Sequence, residues 1–272
     1  KHPDLPKDYG ITHVCFKKKK TRYRSFKELL SNIIPQDILE HIPRSFDIIG
    51  DIALIQLPPK IIDEYGKIIG NAIMTIHKNI KVVFARGETI GEYRVKKLRY
   101  LSGEHRTWTI HKEHGVKIFV DISKAYINPS LAEEHRRLSD IVQDHELVLD
   151  MFTGVGPFAL LIASRRRAMV LAIDMNPSAI MCLLKSIELN RLKGTIIPIV
   201  SDSKQFVKLL KPKQFDHVIM DLPHKAVEFL EDACKVVKDG GYIHLYLVSR
   251  DENEVLTQLR TRCPCCKEVV EI

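Results

Sequence analysis

No stretch of this 272-residue sequence approaches the roughly 18 uninterrupted apolar residues that a membrane-spanning helix needs. The opening Lys1-His2-Pro3-Asp4 also lacks the charged-then-apolar layout of a secretory leader. No membrane association is expected, and the chain reads as cytoplasmic; without an initiating Met it reads as trimmed or processed. Internal repeats and long low-complexity linkers are missing, which sets aside solenoids and arrays. Metal-ligand spacing is missing as well. Of the 6 cysteines, Cys15, Cys182 and Cys234 stand alone, the last two in apolar helical patterns where a buried thiol is expected. Cys263, Cys265 and Cys266 cluster, yet no second Cys or His pair completes a zinc site. In a cytoplasmic setting free thiols are expected rather than disulfides, and no metal is expected.

What is present is a lopsided charge. Residues 1–124 hold 23 Lys/Arg against 14 Asp/Glu, leaving 19 against 20 for residues 125–272, so the net +8 belongs to the first half. Its densest point is Lys17-Lys18-Lys19-Lys20-Thr21-Arg22-Tyr23-Arg24. A solvated basic tail and a polyphosphate-binding segment both fit that run, and the asymmetry between the halves favours RNA.

From Glu146 onward, short β-branched runs alternate with helix-length amphipathic segments. Strands are expected at Glu146–Asp150, Ala168–Asp174, Thr195–Val200, Phe215–Met220 and Tyr242–Val248. Helices are expected at Pro157–Ser164, Pro177–Leu192, Ser203–Leu210, Lys225–Val237 and Asp251–Thr261. Successive β-α units dictate an α/β domain, a Rossmann-like doubly wound parallel sheet. The first half lacks this rhythm. It offers helices at Phe26–Leu30 and Ile62–Ile76, strands at Ile48–Leu57, Lys81–Phe84, Thr107–His111 and Val116–Asp121, and a tight turn at Glu113-His114-Gly115. The expected organisation is a basic segment over 1–24, an α+β RNA-binding domain over 25–123 and a cofactor-binding domain over 124–272. After Val248 the chain leaves room for one further strand at most.

The sharpest motif is Asp150-Met151-Phe152-Thr153-Gly154-Val155-Gly156-Pro157-Phe158, between the first strand and first helix of that sheet. Glycines there let the backbone turn tightly and approach a ligand at the carboxyl ends of the strands. Two cofactors compete for it. Gly154-Val155-Gly156-Pro157-Phe158-Ala159 formally satisfies a dinucleotide pattern, with Asp174 placed to hold a ribose. For S-adenosylmethionine, Asp150 would orient the amino-acid end, Asp202 would accept the adenine amino group, and Pro157 removes a donor that a pyrophosphate would use. Asp150, Asp174 and Asp202 at three successive strand ends favour S-adenosylmethionine, although each singly reads equally as a turn or capping residue. Beyond the fourth strand, Asp221-Leu222-Pro223 is similar to the element with which many methyltransferases grip a nitrogen nucleophile.

Four stretches in order, Gly91-Glu92-Tyr93-Arg94, Lys124–Glu134, Asp150–Phe158 and Met220–Leu230, resemble the archaeal and eukaryotic tRNA (guanine-N1) methyltransferase family, over about residues 25–249. The resemblance implies a class I methyltransferase fold, S-adenosylmethionine as cofactor, and methylation of guanosine 37 in the tRNA anticodon loop by a monomer. It further implies Glu134 as the base that removes the N1 proton, Arg94 as the partner of O6, and Asp221 as the grip on the nucleophile. Tyr126, Ser130, Phe152, Gly154, Gly156, Met175, Leu222 and Pro223 would join the three aspartates in the cofactor site. The chain departs from the family at Ser130 and His135, where Arg is usual, and at Asp221, where Asn is usual. Nothing in it corresponds to the family's extra elbow-reading domain. Alternatives are the related aminocarboxypropyl transferases of wybutosine synthesis, another guanine methylase, a non-catalytic RNA-binding protein that keeps the fold, and a nicotinamide oxidoreductase.

Overall fold

A computed structural model of the chain describes residues 23–90 and 95–248, together with Thr257, Leu259 and Thr261. The first layer comprises α1 (Phe26–Leu30), α2 (Gln36–Glu40), β1 (Asp47–Ile49), β2 (Ile52–Gln56), α3 (Pro59–Ile76), β3 (Val82–Ile90) and β4 (Val95–Gly103). The sheet order is β1-β2-β3-β4, with β2 and β3 parallel around α3 and both outer pairs antiparallel. Alternation decides its two faces. Ala53, Ile55, Val83 and Ala85 pack with Leu30, Ile69 and Ile73 under the helices, while Ile52, Leu54, Val82 and Phe84 face the second half of the chain.

The expected strand over Ile48–Leu57 is in fact two strands, β1 and β2, folded back on each other. Gly50 takes φ +57 in the turn between them, a left-handed conformation that favours glycine. Asp51 beside it accepts from Arg106 NH2 at 2.5 Å and from Thr109 Oγ1 at 2.7 Å. This turn fastens the first sheet to a hairpin of β5 (Trp108–Glu113) and β6 (Val116–Asp121). His114 and Gly115 both have positive φ, 44° and 89°, as a two-residue hairpin turn requires. The hairpin's inner residues Val116, Ile118 and Val120 share a core with both halves, and Phe119 N–H donates to Ser186 Oγ at 2.8 Å on a helix of the second half.

That half runs α4 (Ala132–Ile141), β7 (Leu147–Asp150), α5 (Pro157–Arg165), β8 (Met169–Asp174), α6 (Pro177–Glu188), β9 (Thr195–Val200), α7 (Ser203–Val207), β10 (Phe215–Asp221), α8 (Leu230–Val236) and β11 (Val237–Tyr246). Its sheet has the order β11-β10-β7-β8-β9, parallel throughout. Val148, Val170 and Ile196 pack with Phe158 and Leu183 on one face; Leu149, Ile173, Val218 and Met220 pack with Leu230 and Ala233 on the other. The strand order reverses at β7, which is where an open α/β sheet leaves its ligand crevice.

Candidate active site

The crevice is shaped by how the chain leaves β7. Met151 N–H donates to Ile219 O at 3.0 Å, Thr153 N–H to Ile173 O at 2.8 Å, and Gly156 N–H to Thr153 O at 2.8 Å, so the loop is stitched to β10, to β8 and to itself. Gly154 and Gly156 hold φ of 55° and 82°, and Pro157 opens α5 at its first turn. A Cβ on Gly156 would run into the Leu183 side chain, whereas one on Gly154 meets nothing closer than Tyr126 O at 3.8 Å. The space above Gly154 is therefore open, and the space beside Gly156 is filled by α6. Gly156→Ala is expected to cost about 1–3 kcal/mol through the strained φ and the displaced leucine, read as a lowered Tm in thermal unfolding.

Asp174, at the end of β8, receives Gly154 N–H on one oxygen and Asn176 N–H on the other, both at 2.8 Å. Asn176 in turn caps α6 and donates to Lys124 O at 2.8 Å, which pins the 124–129 segment beside the glycine loop and brings Tyr126 to it. Burial raises the Asp174 carboxyl above its ordinary pKa, against the two backbone bonds that lower it. Asp150 is wholly buried, with no close hydrogen-bond partner on either oxygen, although Thr153 and the Phe152 N–H lie near enough to favour its charged form. Burial pushes its pKa up to about 7, with the charges of Asp221 and Asp174 adding to the rise. Three carboxylates thus end three adjacent strands, β8, β7 and β10, and repel one another. A cationic group is what such a mouth lacks, and an anionic pyrophosphate is what it would reject.

The remaining expected positions divide. Phe152 packs edge-on against Phe229 at 4.9 Å, and Tyr126 and Met175 stay exposed. Leu222 and Pro223 follow β10 half-buried, with Leu222 O receiving Ala226 N–H at 2.8 Å. Ser130 is exposed, its N–H spent on Asn128 Oδ1 at 3.2 Å. Asp202 is exposed and caps α7 by accepting Gln205 N–H on Oδ1 at 2.9 Å. Arg94 and most of the Lys17–Arg24 run lie outside the described residues, as do Cys263, Cys265 and Cys266.

Glu134 lies in the first turn of α4. Arg137 grips both its oxygens, from Nε and NH2, each at 2.7 Å, and Tyr246 OH donates to Oε1 at 2.6 Å. Burial works to raise its pKa, but the Arg137 and Tyr246 bonds outweigh it and hold the carboxyl below its ordinary value. Tyr246 pairs in register with Asp221 across β10 and β11, so the helix carries Glu134 to the strand end that carries Asp221. Sequence reasoning misses Tyr246 and Arg137. An i,i+3 Glu–Arg spacing and the alternation Tyr242-His244-Tyr246 are the signals that could have found them.

His135, which stands where Arg is usual in the family, is buried, with Nδ1 2.7 Å from Glu113 Oε2 and its ring edge-on to Phe158 at 4.5 Å. Glu113 lies 3.2 Å from His111 on its other oxygen. Burial raises its pKa, and the two histidines override this to bring it down to about 2. Cys234 is disulfide-bonded rather than a free thiol; Cys182 is free and buried.

A reversed-order parallel sheet, a glycine turn over β7 and carboxylates at adjacent strand ends define a class I methyltransferase fold. Residues 109–271 match the TRM5/TYW2 methyltransferase domain and residues 26–107 the TYW2 N-terminal domain; the chain belongs to the TRM5/TYW2 methyltransferase family. It is 40% identical over 241 residues to the tRNA (guanine(37)-N(1))-methyltransferase Trm5b of Pyrococcus abyssi, an alignment covering 88% of this chain and 70% of the relative. The structure of aTrm5 in complex with tRNALeu superposes with a TM-score of 0.82 at 37% identity, covering 94% of this chain and 74% of that one. A tRNA(Phe) (4-demethylwyosine(37)-C(7)) aminocarboxypropyltransferase of Pyrococcus horikoshii is 29% identical over 229 residues, covering 81% and 77%.

Proposed function

We propose that this chain transfers a methyl group from S-adenosylmethionine to N1 of guanosine 37 in the tRNA anticodon loop. The observation that carries the reading is the bond between Glu134 and Tyr246, which sets a carboxylate base beside the strand end of Asp221. The cofactor fits the residues present: Asp150 is a buried carboxyl at the end of β7 that offers an acceptor for its ammonium, and the carboxylate mouth suits its positive charge. When bound, S-adenosylmethionine would supply a methyl group from its sulfonium, which would leave as a neutral thioether. Asp174 and Gly154 border the open side of the loop, and Tyr126 and Met175 form exposed apolar walls.

Guanine N1 is protonated in its neutral form and becomes nucleophilic as that proton leaves. Glu134 takes the proton, Asp221 accepts from the guanine's N–H groups, and Arg94 offsets charge developing on O6. Since Arg137 holds Glu134 at low basicity, the arriving guanine has to displace part of that ion pair for the carboxylate to act. Residues 25–123 form the tRNA-contacting unit and residues 124–272 the catalytic one, acting as a monomer in the cytoplasm. Among the described residues no helix is long and apolar enough to cross a membrane.

A second reading, aminocarboxypropyl transfer from the same cofactor, is favoured by the TYW2 N-terminal match over residues 26–107. Nucleoside mass analysis of tRNA incubated with the protein and methyl-labelled cofactor decides between them. Labelled 1-methylguanosine at position 37 is expected. An added aminocarboxypropyl mass, or methyl on another guanine atom, overturns the first reading.

A further inference from the structure

One face of the β5–β6 hairpin takes no part in the crevice. Burial alternates along both strands, so Val116, Ile118 and Val120 enter the core while Trp108, Ile110, Lys112, Lys117 and the half-buried Phe119 share the outer side. Trp108, the only tryptophan in the chain, is 47% exposed. Its ring lies 5.8 Å from that of Phe119 with 18° between the planes, and the exposed Ile110 pairs in register with Phe119. Cations frame this apolar patch. Lys185 Nζ, on α6, stands 4.5 Å from the Phe119 ring. Arg106, held by Asp51 and Glu104, lies 5.2 Å over the Trp108 ring and backs it on one side. Lys112 and Lys117 are exposed and directly opposite each other, and among the described residues neither has a carboxylate partner.

The patch leads to the crevice. Asn190, just past α6, binds both backbone groups of Lys117 near the start of β6, and Asn176, at the head of α6, binds Lys124 O just beyond its end. Strand β6 therefore runs along α6 toward the glycine loop, and Trp108, paired with Asp121, stands at the crevice end. Tyr126 and Met175, both exposed, carry the apolar surface on to the rim. Single exposed apolar residues are ordinary. A stacked aromatic pair ringed by lysines is not, and the facing Lys112 and Lys117 repel each other in the free protein. Lysine is depleted where proteins dock on one another; rings that take bases, beside lysines that take phosphates, are the composition of a surface for single-stranded nucleic acid.

Resting on the methyl-transfer reading above, we propose that the outer face of this hairpin is a stacking platform for the tRNA anticodon loop. Trp108 takes a base next to the target guanosine, Phe119 and Ile110 extend the floor, and Lys112, Lys117 and Lys185 meet the phosphates. Turning the target out of the loop stack deprives a neighbouring base of its partner, and the indole at the crevice end replaces that partner. The contact is the same in the bound complex before and during methyl transfer, so it acts on tRNA affinity and not on the chemical step.

The single tryptophan makes the test direct. Anticodon stem-loop RNA is titrated into the wild type while Trp108 emission and the anisotropy of labelled RNA are followed together. The emission is expected to be quenched with the midpoint of the anisotropy curve, and an abasic nucleotide on one side of the guanosine to abolish the quenching while the RNA still binds. Trp108→Ala is expected to raise KM for tRNA about tenfold, as loss of one base stack does, with kcat and cofactor Kd unmoved. Trp108→Phe, which keeps a ring, should recover most of that loss. Replacing Lys112 and Lys117 together by Gln should flatten the slope of log affinity against log salt by about 1.4, the loss of two phosphate contacts on a single strand. Emission that stays constant while the RNA binds overturns the proposal and leaves the patch to a protein partner. Quenching that survives an abasic nucleotide on either side of the guanosine, or a wild-type KM in Trp108→Ala, overturns it as well. Quenching in a wild type that makes no 1-methylguanosine refutes the functional reading instead.

Discussion

Glu134→Gln is expected to slow single-turnover methyl transfer by about 10²- to 10⁴-fold, the usual contribution of a positioned general base. The amide is isosteric and keeps an oxygen for Tyr246 OH, so helix α4 stays docked on β11. The ion pair with Arg137 is lost, but the Arg137 and Glu134 side chains are 41% and 22% exposed, and a pair that open to water contributes about 0–1 kcal/mol. A fall in activity beyond that is therefore chemistry rather than unfolding, and the cofactor Kd, which does not involve Glu134, should not move. Single-turnover assays at saturating cofactor, with calorimetric titration of the same preparations, measure both. An unchanged rate would remove Glu134 as the base and leave Asp221, at the paired strand end, to take the N1 proton.

The parallel sheet was legible because each of its strands is a short apolar run closed by a turn residue, and its helices mostly start at a Pro, Ser or Asp. Thr195–Val200 lies where its pattern puts it. Helix α6 stops at Glu188, short of the expected Leu192, because Asn190 spends its side chain on both backbone groups of Lys117 in the hairpin, at 2.9 and 2.6 Å. Strand β11 begins at Val237 rather than Tyr242, with an irregular register at Phe215/His217 where Gly240 and Gly241 intervene. A sequence window carries no sign of such a bulge. Strand β4 was missed outright: Val95-Lys96-Lys97-Leu98-Arg99-Tyr100 is too cationic to resemble a strand, and it pairs only because β3 offers an edge.

The site was legible in the same uneven way. Glycines and strand-end aspartates announce themselves locally, since a turn over a strand favours glycine where φ is positive. Tyr246 becomes a functional candidate only through its partner Glu134, 112 residues away along the chain. The burial of His135 is not legible locally either, because its partner Glu113 sits on a hairpin that composition alone does not dock there.

Asp150→Asn is expected to have opposite effects on stability and on cofactor binding. The wild-type carboxyl is raised from 3.8 to about 7 by burial, with Asp221 and Asp174 adding, so the folded protein binds its proton more tightly than the unfolded chain does. Stability from this group is then fully present below about pH 4 and is lost as pH rises through about 7. A tenfold change in proton affinity is worth about 1.4 kcal/mol, which places the ligand-free wild type up to about 4 kcal/mol below the neutral Asn variant at pH 8. Glu113, held down near 2, acts in the opposite sense at acid pH; the difference between variant and wild type cancels it. Denaturant unfolding from pH 4 to 8 should show the two proteins converging at the acid end and separating with rising pH. Cofactor binding should go the other way, because the ammonium finds its partner only in the ionised carboxylate. Calorimetry in buffers of different ionisation enthalpy should record a proton released on binding to wild type at pH 6, and none from this site in the variant, which should bind at least about tenfold more weakly. Parallel stability curves together with equal affinities would mean that Asp150 is an inert buried acid and that the cation is held by Asp174 and Asp221 alone.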